Sequence, residues 1–163
     1  MTNDNKNKRN LEIRENKVQG TIIQINMIAS SDIMKGIETK VLLALYETSI
    51  VSSLVHNGES WTLSPTEETQ INQIGIKAIK RLFSLPTSTP SAAVLFNLGL
   101  LYMTQVVDKM RFIFLHKVSV RTKQMLSQLQ SFGIDWAKNI QEKLIEYELE
   151  TDWEIIGRKP KAE

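Results

Sequence analysis

The stretch that decides the fold covers residues 64–90 and reads SPTEETQINQIGIKAIKRLFSLPTSTP. Ser64 and Glu67 have the spacing of a capping box, in which each side chain bonds the backbone N–H of the other, and Pro65 suits the first helical position. Pro86 marks the other end, because the residue before a proline disfavours helical backbone angles. The apolar stripe between these ends consists of Ile71, Ile74, Ala78 and Leu82. The stretch therefore predicts an amphipathic helix.

The same spacing of apolar residues recurs along the rest of the chain, and no segment shows the period-two alternation of a half-buried strand. We therefore expect an all-α fold, an irregular bundle of about six to seven helices. The other predicted helices cover approximately residues 11–28, 33–54, 90–99, 102–117, 121–131 and 136–149. In one of them Phe112 and Leu115 lie nearly opposite the main apolar stripe. Such a helix is covered on both faces, either by other helices of this chain or by a partner.

The composition excludes several kinds of chemistry. The 163 residues include no cysteine, which removes disulfides, zinc–thiolate sites and thiol nucleophiles. His56 and His116 lie far apart, and there is no glycine-rich phosphate loop, nucleophile elbow or zinc-protease motif. We therefore expect no catalytic centre, no bound metal and no cofactor.

The segments that could direct the chain to a membrane are also missing from the sequence. No apolar run reaches the roughly 18–20 residues that a membrane span needs. Residues 1–10 read MTNDNKNKRN and lack the apolar core of a secretory signal, so we expect a disordered lead-in there. We expect an intracellular protein, in the cytoplasm or the nucleus, with no membrane partner.

The net charge of +2 conceals an uneven distribution. Residues 69–133 hold eight Lys and Arg residues and a single acidic residue, Asp108, whereas both flanking segments are net acidic. Tyr102, Phe112 and His116 are interleaved with these cations, a combination that favours contact with a nucleic-acid backbone. The alternative is a solvated surface whose long side chains flank apolar stripes. The candidate nucleic-acid-binding residues are Lys77, Lys80, Arg81, Lys109, Arg111, Lys117, Arg121 and Lys123.

Two blocks of the sequence carry an ordered series of motifs. Residues 40–63 read KVLLALYETSIVSSLVHNGESWTL, with motif positions at Lys40, Leu45, Tyr46, Leu54, Asn57, Glu59 and Trp61. Residues 71–118 read INQIGIKAIKRLFSLPTSTPSAAVLFNLGLLYMTQVVDKMRFIFLHKV, with motif positions at Leu82, Leu85, Pro86, Ser88, Thr89, Pro90, Leu98, Gly99, Leu100, Met110, Phe114, His116 and Lys117. In this order the blocks resemble the region after the palm of non-LTR (LINE-type) retrotransposon reverse transcriptases.

The resemblance covers approximately residues 11–163 and is strongest over 40–118. The end of the chain is similar to the family's trailing helices at Trp136, Leu149, Glu150, Thr151 and Ile155. The chain departs from the family at two positions. His56 stands where the family usually has tyrosine, and Asn97 stands where it often has an acidic residue.

The resemblance implies a thumb and linker region, a bundle of helices beside a primer–template duplex. It implies a helical thumb-like region over 11–133, trailing and truncated linker helices over 134–163, and RNA or an RNA–DNA hybrid as partner. The fingers and palm, which carry the catalytic aspartates, would precede Leu11 and would be missing partners. The chain would then be a fragment of an RNA-directed DNA polymerase and not an enzyme on its own. A standalone helical protein–protein interaction module and a non-functional remnant are the alternatives.

Overall fold

The computed structural model of the chain describes residues 3–29, 38–121, 135–149 and 151. Within these ranges it has helices and no strand, which confirms the all-α prediction. The helices are α1 (Asn3–Ala29), α2 (Thr39–Leu45), α3 (Ser52–Leu54), α4 (Pro65–Leu82), α5 (Ser91–Leu98), α6 (Met103–Arg121) and α7 (Asp135–Glu146). A π-helical segment, Tyr46–Val51, joins α2 to α3, so the described α-helices form six stretches, and a 3-10 helix covers Gly58–Ser60. Beyond its first residue, the helix predicted over 121–131 lies outside the described residues.

Helix α4 begins as the capping box predicts. The backbone N–H of Ser64 donates to Glu67 Oε2 at 2.8 Å, and the N–H of Glu67 donates to Ser64 Oγ at 3.4 Å. The helix ends at Leu82, and Ser84 takes a left-handed φ of 52° just before Pro86. The whole predicted stripe is buried, at Ile71, Ile74, Ala78 and Leu82.

The stretch predicted as one helix over 33–54 changes to π-helical turns at Tyr46–Val51. Two hydroxyl side chains bond the backbone carbonyl four residues earlier. Thr48 Oγ1 donates to the Ala44 carbonyl at 2.6 Å, and Ser52 Oγ donates to the Thr48 carbonyl. Such bonds compete with the backbone bonds of a regular α-helix, and apolar spacing carries no signal for them.

Two helix starts differ from the sequence prediction. Helix α1 begins at Asn3 and so covers most of the segment 1–10 that we expected to be a disordered lead-in. The first residues of α1 are polar, and apolar spacing cannot reveal polar turns that extend an existing helix. Helix α5 begins at Ser91, one residue later than the predicted range 90–99, because Pro90 has an extended ψ of 126° and is the N-cap of the helix.

The chain divides into two compact units, each made of two separate stretches. The first unit consists of Met1–His56 and Leu63–Gln105, and the second consists of Asn57–Thr62 and Val106–Glu163. The boundary that the resemblance implies, between residues 133 and 134, lies outside the described residues. The structural division falls within α6 because the later part of α6 packs on α7, as described below.

In the first unit, α1 packs against α4 and against the helical stretch that contains α3. Arg14 of α1 also bonds the end of α3. Its Nη1 donates to the carbonyls of Ser53 and Leu54, both at 3.1 Å, and its Nη2 donates to the His56 carbonyl at 3.0 Å. The last carbonyls of a helix have no partner within it, so Arg14 satisfies these groups. The core side chains include Val18, Ile22, Ile50, Leu54, Ile71, Ile74 and Ile79.

In the second unit, α7 covers one side of α6. Leu115 is buried in a cluster with Ala137, Ile140 and Leu144. The ring of Phe112 meets that of Tyr147 edge-on, with 5.8 Å between centroids. Of the two predicted possibilities, other helices of this chain or a partner, the chain's own helix α7 therefore covers the Phe112 and Leu115 side of α6.

Helix α4 approaches Met103 closely at a glycine in the first unit. A Cβ atom added at Gly75 would lie 2.6 Å from Met103 Cγ. Real Cβ atoms do not come this close to a neighbour, and Cγ lies near the Met103 backbone, so an alanine at Gly75 would displace Met103. Gly75 also accepts a bond through its carbonyl from the buried Tyr46 hydroxyl at 3.3 Å.

We expect Gly75→Ala to destabilise the protein. Overpacking costs about 1–3 kcal/mol, whereas the helix propensity of alanine returns about 1 kcal/mol, so the free energy of unfolding in urea should fall by up to about 2 kcal/mol. Gly20→Ala is the matched control, because nothing lies within 4 Å of a Cβ at that helical position. That control should gain about 1 kcal/mol. Equal gains in both variants would contradict the close approach of Met103.

Candidate nucleic-acid interface

Three of the eight candidate cations lie on α4 in the first unit. Lys77 is exposed. Lys80 is half-buried, and its Nζ donates to the Thr87 carbonyl at 3.0 Å. Arg81 is exposed, and its guanidinium bonds the side-chain oxygen of Gln19 on α1. These cations lie near one end of α4, where the helix dipole also favours positive charge.

Two further cations lie on α6 within the second unit. Lys109 and Lys117 are both exposed, and Ile113 lies midway between them at steps of four residues. Steps of four keep side chains on one side of a helix. This side of α6 therefore presents two ammonium groups to solvent.

Arg111 does not belong to the candidate surface, which corrects the sequence prediction. Its side chain is 1% exposed. Its Nη1 donates to Asp108 Oδ1 at 3.2 Å and to Asn139 Oδ1 at 3.0 Å, and its Nη2 bonds the Trp61 carbonyl. A guanidinium held in this way inside the second unit is not available to a phosphate. The sequence did carry a signal, because Asp108 lies three residues before Arg111, a spacing at which helical side chains meet.

The carboxylate of Asp108 bonds a second side chain of the unit. The Tyr147 hydroxyl donates to Asp108 Oδ2 at 3.2 Å. Burial and, secondarily, the nearby Asp108 charge raise the pKa of Tyr147 above its usual value. Asp108 is 3% exposed, so the single acidic residue of the basic segment contributes almost nothing to its surface.

We expect Arg111→Leu to destabilise the chain strongly. Removing one partner of a buried ion pair leaves the Asp108 carboxylate uncompensated, which costs about 3–5 kcal/mol. Lys109→Leu removes a neighbouring exposed cation and should change the free energy of unfolding by no more than about 0.5 kcal/mol. Denaturant unfolding of both variants tests this. Similar small effects would show that Arg111 is not a buried anchor.

The remaining candidates and the interleaved rings have different environments. The side chain of Arg121 and all of Lys123 lie outside the described residues. His116 is exposed on α6, and Tyr102 is half-buried just before it begins. Phe112 packs on Tyr147, so it is a core ring and not a ring offered to a base.

A cavity of about 210 Å³ opens beside Lys117 in the second unit; its other lining residues are Glu59, Met110, Ile113 and Phe114. Trp136 positions two of these. Its indole N–H donates to the Glu59 carbonyl at 2.7 Å, and its ring meets Phe114 edge-on, with 5.9 Å between centroids. Sequence reasoning missed this cavity, although the resemblance includes Glu59, Phe114 and Trp136 among its positions.

Comparison of the chain with protein-family models, with curated proteins and with solved structures found no match. In the part of the chain that the structure describes, no group of three or more His, Cys, Asp or Glu side chains could hold a metal ion. Over the same ranges, no single helix is long and apolar enough to cross a membrane; only α5 and α6, taken together across the bend between them, have that length and composition.

Proposed function

We propose that this chain is the thumb and linker region of a non-LTR retrotransposon reverse transcriptase and that it binds RNA or an RNA–DNA hybrid. In this role it holds nucleic acid and is not an enzyme on its own. The ordered resemblance over residues 40–118 supports the family. The exposed cations of α4 and α6 support the binding.

The observation that carries the proposal is the charge on the surface of α6. Its one acidic residue, Asp108, is buried with Arg111, whereas Lys109 and Lys117 face solvent. The charges that remain outside, among the side chains that the structure describes on α6, are therefore all positive. Phosphates that approach such a surface release condensed counterions, which drives binding without base recognition.

The first unit also has exposed positive charge, on α4. Its acidic residues, Glu67 and Glu68, lie in its first turn, whereas Lys77, Lys80 and Arg81 lie at the other end. Lys80 and Arg81 also stabilise the helix end, so their presence has a structural explanation. The pair on α6 has no such explanation and provides the sharper test.

Fluorescence anisotropy with a labelled RNA–DNA hybrid, at several salt concentrations, tests the proposal. The logarithm of the binding constant should fall linearly with the logarithm of salt concentration. The double variant Lys109→Ala/Lys117→Ala should reduce that slope by about 2, because each lysine that neutralises a phosphate contributes about 1 to it.

The matched control is Lys17→Ala/Lys138→Ala, which removes two exposed lysines from α1 and α7 and changes the net charge equally. This variant should bind almost as the unaltered chain does. An equally weakened affinity in both double variants, binding that ignores salt, or no binding at low salt would each refute the proposal.

A protein–protein interaction module is the second candidate, and exposed apolar side chains favour it. Phe96 on α5 is 87% exposed, and Ile23 and Met27 on α1 are 60% and 69% exposed. Ile23 and Met27 lie four residues apart and so share a side of α1, and exposed apolar surface of this kind can form an interface. Two measurements separate the candidates. Sedimentation at high concentration gives the oligomeric state, and the fluorescence of a dye that binds apolar surface shows whether such surface is exposed. A monomer that does not bind the dye would contradict this second function.

A further inference from the structure

Phe114 of α6 is an aromatic residue that the core of the second unit leaves partly uncovered. It is 39% exposed, whereas Phe112 on the same helix packs on Tyr147. Trp136 meets the Phe114 ring edge-on, and its indole N–H is fixed by its bond to the Glu59 carbonyl. A ring that is already held on one side can stack with a further flat group at little cost in side-chain entropy.

The cavity beside Phe114 favours a group that is flat and uncharged. Its volume is about 210 Å³, and Met110 and Ile113 add apolar surface next to the ring. Glu59 also lines the cavity, and a carboxylate repels an anion that approaches it. A phosphate is therefore disfavoured inside the cavity, whereas an aromatic base can lie against its apolar wall.

Two cations lie close to this wall on α6. Lys117 lines the cavity, and Lys109 lies four residues before Ile113, on the same side of the helix. The two lysines are eight residues apart, which is about 12 Å along the helix axis. Both are exposed, and each carries its charge on a flexible stem that can reach a phosphate. This surface of α6 therefore combines an apolar wall for a flat group with positive charge at two points for a backbone.

We propose that this surface of α6 binds single-stranded nucleic acid, with one unpaired base on Phe114 and the phosphates on Lys109 and Lys117. The inference rests on the nucleic-acid binding proposed above and names the form of nucleic acid that uses the cavity. Every base has a π-face, so stacking on an aromatic ring tolerates different sequences. In a duplex, neighbouring bases cover these faces, so a duplex contacts the lysines alone. Phe114 therefore contributes to the binding of a single strand only.

An acidic protein segment with an aromatic residue is the competing occupant. Its ring could lie on Phe114, and its carboxylates could approach the two lysines. Such a segment must hold its ring and its acids in one particular arrangement, which costs conformational entropy on binding. A nucleic-acid strand carries a phosphate between every two bases, so any part of it can place a base and phosphates together. The charge and the apolar wall of this surface therefore favour the nucleic acid.

Fluorescence anisotropy with a labelled single-stranded RNA, and with a blunt RNA–DNA hybrid of the same sequence, tests this inference at a fixed low salt concentration. Phe114→Leu keeps an apolar side chain beside Trp136 but removes the aromatic face. It should weaken binding of the single strand by about 5–100-fold, the range that corresponds to the loss of one stacked base. Binding of the hybrid should stay almost the same. The salt dependence should not change for either nucleic acid, because no cation is removed.

Two further variants control for the loss of a ring and for a change in packing. Phe96→Leu removes a phenyl ring that is 87% exposed on α5 in the first unit, and it should leave both affinities unchanged. Phe114→Tyr keeps an aromatic face and should keep most of the affinity for the single strand. Thermal melting shows whether each variant folds. The NMR signals of the Phe114 ring in the unaltered chain need no variant, and they should shift more with the single strand than with the hybrid.

The outcomes separate this inference from the proposed function. If Phe114→Leu binds both nucleic acids as the unaltered chain does, or weakens both equally, the single-strand site is overturned and the nucleic-acid role is kept. The same holds if Phe96→Leu weakens the single strand as much. Phe114 signals that shift with a peptide of alternating glutamate and phenylalanine, but not with the RNA, would also overturn the site. If neither the single strand nor the hybrid binds, the role and the site fail together.

Discussion

The second unit depends on the guanidinium of Arg111. It joins three parts of the chain that are distant in sequence, because its donors reach Asp108 on α6, Asn139 on α7 and the Trp61 carbonyl in the stretch 57–62. Removing such a cation from water costs several kcal/mol, and only good partners offset this. Two of these parts also line the cavity, through Glu59 and Phe114, and Trp136 of the third part contacts both of these residues.

The pairing also shapes the electrostatic surface. Asp108 and Arg111 neutralise each other inside the second unit. Their burial leaves the net charge of residues 69–133 unchanged, but it removes the one acidic side chain of that segment from the surface. Lys109 and Lys117 thus act without a nearby exposed carboxylate on the described part of α6. A buried ion pair is weak support for stability in general, and here its clearest effect is on the sign of the surface.

Helix α4 could be predicted almost completely, because its cap, its stop and its apolar stripe are all local signals in sequence. The exposure of Lys77, Lys109 and Lys117 also agrees with the sequence prediction, although whether they bind nucleic acid stays a prediction. The burial of Arg111 could not be read from apolar spacing, since periodicity reports the face of a helix and not the partner that a charged group finds. The cavity could not be predicted from the sequence at all, because its residues are brought together by contacts between distant parts of the chain. Glu59 is held by Trp136, a residue 77 positions away.

The discontinuity of the two units has a consequence for synthesis on the ribosome. The stretch Asn57–Thr62 leaves the ribosome long before α7 does. The Glu59 carbonyl therefore cannot accept its bond from the Trp136 indole until α7 has been synthesised. Domains usually fold as units in the order in which they are made, but this unit cannot close until its last described helix appears. During that interval Leu115 of α6 is exposed to solvent, because the α7 side chains that bury it have not been made. Chaperones can bind exposed apolar segments of this kind. Synthesis of α7 thus ends the period in which the apolar side chains of the second unit are exposed.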